Sequence, residues 1–363
     1  MVQGIAHLHL SICNSERGLF MKIFLRIVFL AIAATMMFLI SSWFGHKSTH
    51  IAKVSDFYST PAEYDVLAFG PSYMYCTLIT PELYRATGIR SFTPGTPCQS
   101  VDESFYFIKE ALMRVKPKVI LLGADMVVIS EDKYVHSSSL AHEAVDGFPW
   151  GLSRLGMIAN MKTNGDYDEF IVPFIKYHSR WKELGKNDFV LHTEHLDFNG
   201  SILYSTIGCS NGVKSYDLST CARSDVYEGN LKLLEQLKEL TQKHGVRFAL
   251  VASPRSGCFA DGRLAALHDY CEEHSIDFID LLLDFDKTGI VNETDYYDSF
   301  HLNVFGAEKA TRYIGKWLLD HYDFDNANVS AESRAWWDAE VERYDKARDR
   351  ALAREKAKQS ASK

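Results

Sequence analysis

Eighteen consecutive residues without a charge, Ile27–Phe44 (IVFLAIAATMMFLISSWF), constrain this chain more than any other feature. A run of that length is the lower limit for a helix that crosses a bilayer. Lys22 and Arg26 stand just before it, and the positive-inside rule then puts the N-terminus in the cytoplasm. A cleaved signal peptide would show an A-x-A-like site after the apolar run, and none follows. A buried core helix is the other use of such a segment. The expectation is a single-pass anchor in the cell membrane, with everything after about Gly45 exported. Upstream, residues 1–20 carry no membrane or domain pattern, and Met21-Lys22-Ile23 reads as a more natural start. They are expected to be a non-native or disordered extension.

The remaining chain is ordinary in composition: of 363 residues, 47% are hydrophobic and 24% charged, with 22 Gly and 9 Pro. Collagen, coiled coil and wholesale disorder are excluded on those proportions. With 39 basic against 47 acidic residues the net charge is −8, which is no footprint for nucleic acid. The mean hydropathy of −0.14 conceals the apolar N-terminal run. Cys13 precedes that run, and Cys76, Cys98, Cys209, Cys221, Cys258 and Cys271 follow it. Six is an even number in an exported region where disulfides persist, and Cys209 and Cys221 make the easiest pair; free buried thiols are the alternative.

Beyond the anchor the pattern alternates between strand and helix. Asp65–Phe69, Arg90–Thr93, Val119–Leu122, Arg247–Ala252 and Asp277–Leu281 read as strands. The runs Ser100–Arg114, Asn230–His244, Arg263–His274 and Val304–Tyr322 have helical spacing. This predicts an α/β fold, a doubly wound and mostly parallel sheet. Between about Glu131 and Tyr227 the alternation fails, and nearly 100 residues do not form a bare loop in a compact domain. The expected division is an extension (1–20), a cytoplasmic start and anchor (21–45), and a tether (46–60). Then come a first core half (61–130), an insertion or cap (131–227), a second core half (228–325) and a charged C-terminal helix (326–363). That last helix, with pairs such as Glu342/Lys346, reads as a solvated appendage or packing arm.

Ligands of open α/β sheets bind outside the carboxyl ends of the strands. Gly70-Pro71-Ser72 follows the first predicted strand, Gly95 the second, Gly123-Ala124-Asp125 the third and Ser253-Pro254-Arg255 the fourth. The last leads to Asp298-Ser299-Phe300-His301. One hydroxyl, one imidazole and one carboxylate therefore converge on one rim. That set suits acyl transfer: Ser72 as nucleophile, His301 as base, and Asp298 to hold the imidazole. Backbone N–H groups of Ser72 and Gly95 would form an oxyanion hole. The order Ser, Asp, His also fits an α/β-hydrolase, but Met74 stands where the nucleophile elbow G-x-S-x-G needs glycine. His192 and His195, three apart without an evident third ligand, read as surface histidines, and no metal is expected. No dinucleotide fingerprint or phosphate loop occurs, so no cofactor is expected.

FG-x-S after the first strand, glycine after the second and third, and D-x-x-H before the last helix resemble the SGNH/GDSL hydrolase superfamily over roughly Asp65–Tyr322. The resemblance implies a flavodoxin-like sheet, a triad of Ser72, Asp298 and His301, and Gly95 in the oxyanion hole. The anchored layout is similar to bacterial envelope members of the teichoic-acid D-alanylation and polysaccharide O-acetylation type. GTPCQS (Gly95–Ser100), YHSRW (Tyr177–Trp181) and DSFHLNVFGA (Asp298–Ala307) resemble that branch most. It implies a cell-envelope polymer as substrate and a membrane-bound acyl-donor partner. Gln99, Arg180, Trp181 and Arg255 become candidate substrate contacts. Asp125 departs from the family, whose hydrolases carry asparagine there as an oxyanion donor. An ionised carboxylate would repel the oxyanion, so Asp125 is either protonated or turned elsewhere, or activity is reduced. The alternative expectation is a non-catalytic envelope protein binding glycan or a partner on a degenerate scaffold of this type.

Overall fold

Short apolar runs that fit strands covered on both faces set the centre of the fold. The computed structural model describes residues 2–45, 48–59, 63–129, 134–185, 197–210, 212–255, 262–324 and 329–361; for 2–17, 42, 44, 45, 359 and 361 it describes the backbone alone. The chain opens with helices α1 (Val2–Gly45) and α2 (Thr49–Ser59). The first half of the core follows: β1 (Val66–Phe69), α3 (Ser72–Tyr75), α4 (Thr80–Thr87), β2 (Ser91–Phe92), α5 (Val101–Leu112), β3 (Val119–Gly123) and α6 (Asp125–Ile129). Next comes the insertion: β4 (Val135–His136), α7 (Ser138–Val145), α8 (Leu152–Asn160), β5 (Lys162–Thr163), α9 (Tyr167–Ile171) and α10 (Phe174–Tyr177). A 3-10 turn (Arg180–Glu183) and the hairpin β6 (Asp197–Phe198) and β7 (Ser201–Ile202) end it. The second half comprises α11 (Glu228–Lys243), β8 (Arg247–Ala252), α12 (Arg263–Glu273), β9 (Asp277–Asp280), α13 (Phe285–Thr288), α14 (Val304–His321) and α15 (Ala331–Ala361).

The α/β class holds. Five strands form one sheet in the order β2-β1-β3-β8-β9, and every pairing is parallel. From β1 the chain moves outward to β2, then returns past β1 to β3, β8 and β9. Direction across the sheet therefore reverses between β1 and β3, and the crevice at their carboxyl ends is where open α/β sheets take ligands. All residues of β1 and β3 are buried. Helix α5 begins where Ser100 accepts from Glu103 N–H while the Glu103 carboxylate accepts from Ser100 N–H, a reciprocal cap.

At the ends, two expectations change, and of the two readings of the C-terminal helix one holds. Residues 2–20 are part of helix α1 rather than lacking structure, because nothing in that stretch breaks a helix. Within α1, Gly18–Ser41 is long and apolar enough to cross a membrane, with mean hydropathy 2.6 and none of its apolar window buried. The tether is instead α2: Ile51, Val54, Phe57 and Tyr58, at helical spacing, are buried in the core. The C-terminal helix is a packing arm, since Trp337 and Tyr344, seven residues apart on one face, are buried. Tyr344 donates to Glu308 at 2.9 Å and Arg348 pairs with the same carboxylate at 3.0 Å, tying α15 to α14.

Of the two readings of the cysteines, free thiols hold: Cys209 and Cys221 are unbridged, as are Cys98 and the buried Cys76 and Cys271. Each loop is fastened to a different neighbour. Gly208 and Ser210 N–H donate to Tyr296 and Asn292 carbonyls, whereas Arg223 ties the Cys221 carbonyl toward Asp269 of α12. Cys258, His192 and His195 lie outside the described residues.

Helix α2 also buries Lys53 completely. Its Nζ donates to the Gly200 carbonyl at 3.1 Å and sits 3.8 Å from the centre of the Tyr75 ring. Burial pulls this ammonium down from 10.5 to about 7, against the raising fields of Asp197, Cys76 and Glu143. A depressed lysine means the folded state holds fewer protons than the unfolded one between those values, so stability rises with pH across that window. Comparing wild type with Lys53→Met by urea unfolding, the wild type should gain about 2–5 kcal/mol on the variant from pH 7 to pH 10. Parallel curves would mean that the lysine is charged at neutral pH.

Candidate active site

Strand β1 runs into Gly70, whose φ of +137° is a backbone region that side chains avoid, and the chain then turns sharply into α3. Ser72 is the first residue of α3 and is half-buried. At the other end, the loop after α13 is fixed by Asn303. The wholly buried Asn303 side chain accepts from Phe305 and Gly306 N–H, and its amide donates to the Thr294 and Tyr296 carbonyls. Tyr297 N–H donates to the His301 carbonyl at 2.8 Å, closing the loop on itself.

These two ends meet. Ser72 Oγ lies 2.8 Å from His301 Nε2, and His301 Nδ1 lies 2.9 Å from Asp298 Oδ2. Phe300 and His301 N–H also donate to Asp298 Oδ1, at 2.7 and 2.8 Å. Partial burial alone would raise the Asp298 carboxyl. The hydrogen bonds from Phe300 N–H and from the His301 ring and N–H outweigh it, and the group ends below its ordinary value. An ionised carboxylate only accepts, so the proton sits on Nδ1 and Nε2 is left to accept from the Ser72 hydroxyl.

Glycines let the neighbouring backbone close in. A methyl group on Gly95 would stand 2.1 Å from the Gly70 carbonyl oxygen, so Gly95 abuts the turn that carries Ser72. Among the described residues, neither Ser72 N–H nor Gly95 N–H donates to a protein acceptor. Both remain able to meet an oxyanion. Gly95→Ala must displace backbone rather than a flexible side chain, and it should cost about 1–3 kcal/mol in denaturant unfolding. An unchanged unfolding midpoint would mean that the loop relaxes freely.

Asp125 is engaged by a cation. It is wholly buried, and its Oδ1 accepts from Arg255 Nε at 2.7 Å. Burial pushes its carboxyl up, with the Arg255 guanidinium and backbone hydrogen bonds opposing. The carboxylate that sequence placed at the oxyanion is thus occupied by a cation. Arg255 itself, 2% exposed, lies 4.2 Å from the centre of the Tyr73 ring, and Tyr73 stacks on His301 at 5.1 Å and 25°. Arg255 accordingly supports the wall behind the imidazole. Gln99 is likewise buried rather than presented to a ligand: its Oε1 accepts from Gly70 N–H at 2.9 Å and from Ser104. It buttresses the turn. Arg180 and Trp181 stand in the 3-10 turn of the insertion, where Trp181 is 63% exposed and Lys182 Nζ approaches its ring at 5.7 Å.

Two aromatic residues at the site escaped the sequence reading. Tyr73 had a signal, since it directly follows the candidate nucleophile. Tyr204 had none. Its ring stacks on Tyr297 at 4.4 Å and meets His301 edge-on at 6.1 Å. Among the described residues no group of three His, Cys, Asp or Glu side chains is placed to hold a metal ion. Compared with models of known families and with curated protein sequences, the chain matches none of them.

Proposed function

We propose that the protein is a serine esterase or O-acyltransferase of the SGNH type. On this reading α1 anchors it in the cell membrane with the N-terminus cytoplasmic, and the α/β domain works outside on a cell-envelope polymer. The observation that carries the reading is the continuous chain from Ser72 Oγ through His301 to Asp298, with contacts of 2.8 and 2.9 Å. Ser72 Oγ attacks the acyl carbon while its proton passes to His301 Nε2, and Asp298 stabilises the imidazolium. Ser72 and Gly95 N–H receive the oxyanion. His301 returns the proton to the departing alkoxide, leaving an acyl-serine. Water or a polymer hydroxyl then gives His301 a proton and attacks the acyl carbon, and His301 passes that proton to Ser72 Oγ as the acyl–oxygen bond breaks. No cofactor enters these steps.

An anionic polymer of the polysaccharide or teichoic-acid-like kind is supported by a groove beside Tyr204. It is lined by Leu203, Ser205 and Thr206 and, from α15, by Arg343, Lys346, Arg350, Arg354 and Lys358 against the single acid Glu355. Arg350 and Arg354 are exposed. The acyl donor would come from a membrane-bound partner.

Covalent labelling with a fluorophosphonate probe tests the reading on the full chain in detergent. The wild type should be labelled, and Ser72→Ala and His301→Ala should not. A folded wild type that resists the probe would favour a binding protein built on the same scaffold.

A further inference from the structure

The insertion leaves a set of large apolar side chains uncovered: Leu152 is 88% exposed, and Trp150, Leu155, Ile171, Val172 and Ile175 are between 42% and 47% exposed. They come from α8 and the turn before it, and from α9, α10 and the link between those two. Apolar residues scattered singly over a surface need no explanation, but these lie on or next to segments that reach α1. Helix α10 packs against α1, α9 packs against α10, and the Trp150 ring meets Phe38 of α1 at 6.3 Å.

The position of Phe38 fixes the depth of this surface. The apolar stretch Gly18–Ser41 has 24 residues. At about 1.5 Å per residue such a helix is some 36 Å long, slightly more than the roughly 30 Å hydrocarbon core of a bilayer. Phe38 is three residues from the end of that stretch, about 4.5 Å along the axis. It therefore lies at the boundary between acyl chains and headgroups, and a ring in contact with it lies at the same level. Tryptophan is favoured there, with an apolar body and a polar N–H. The Arg154 guanidinium lies 4.1 Å from the centre of the Trp150 ring.

We infer that this face of the insertion is a second membrane contact, seated in the lipid interface beside the anchor. The inference rests on the reading of α1 as a membrane anchor. The occupant is lipid because α10 and Trp150 adjoin a segment whose own apolar side chains are exposed and which is long enough to span a bilayer. The insertion is thereby a foot for the domain, and two contacts set its orientation where one helix would leave it free to turn.

The test places a photoreactive benzophenone side chain at Leu152, at Leu30 within the span, and at exposed Glu239 on α11. The full chain carrying each is reconstituted in vesicles of phosphatidylethanolamine and phosphatidylglycerol, irradiated and weighed by mass spectrometry. Lipid adducts are expected at Leu30 and Leu152, within a few-fold of one another, and none at Glu239. Lipid at Leu30 with a protein adduct or none at Leu152 overturns the inference and leaves the anchor standing. No lipid at Leu30 overturns the anchor, and the inference falls with it.

Discussion

Replacing Ser72 by alanine should lower ester turnover by the full-length protein about 10⁶-fold, and replacing His301 should cost nearly as much. The two act as one unit, 2.8 Å apart, so the double variant should be no slower than either single one. Asp298→Asn should fall about 10⁴-fold for a different reason. An asparagine amide can donate to Nδ1, which moves the ring proton to Nε2 and removes the acceptor from the serine. Steady-state hydrolysis of an aryl acetate, with circular dichroism to verify folding, reads all three. Retention of full activity in Ser72→Ala would sink the proposed chemistry.

The second large effect concerns Arg255. Its partner Asp125 is wholly buried, and removal of one member of a buried ion pair leaves an uncompensated charge. Arg255→Met should therefore destabilise the fold by about 3–5 kcal/mol in urea unfolding. Asp125→Asn with Arg255→Met should recover most of that loss, because a neutral amide tolerates the site where a carboxylate does not. The turnover pattern should differ from the stability pattern. Tyr73 loses the cation behind its face in both variants, so its stacking on His301 loosens and activity stays reduced in the double variant. If the double variant is no more stable than Arg255→Met, the pair is not what holds this wall together.

How much of this was legible in sequence followed from the range of each interaction. The strands β1, β3 and β8 were readable because a strand buried on both faces needs an unbroken apolar run, and VLAF, VILLG and the FALVA of β8 are such runs. The meeting of Ser72, His301 and Asp298 was readable from placement after strands, since a parallel sheet brings those ends together. Helix α2 was not legible because its eleven residues mix Thr, His, Lys, Ser and Asp with the apolar Ile51, Val54, Phe57 and Tyr58, too short a run for a helical period to stand out. The Asp125–Arg255 pair spans 130 residues, and no local pattern announces it. The insertion resisted for a similar reason. Its helices are short, and contacts such as Tyr177 to Asp146, 31 residues apart, join segments that no local pattern pairs.

Only residues 46–48 separate the end of α1 from the start of α2. Fully extended, such a link spans at most about 14 Å. Helix α2 is not a loose continuation, because Lys53 lies against Tyr75, three residues along from Ser72. With α1 in a bilayer, the nucleophile is confined to a thin layer above the lipid and searches in two dimensions. Turnover on a membrane-held substrate should then scale with molecules per unit area, and dilution of the vesicles at constant surface density should leave it unchanged.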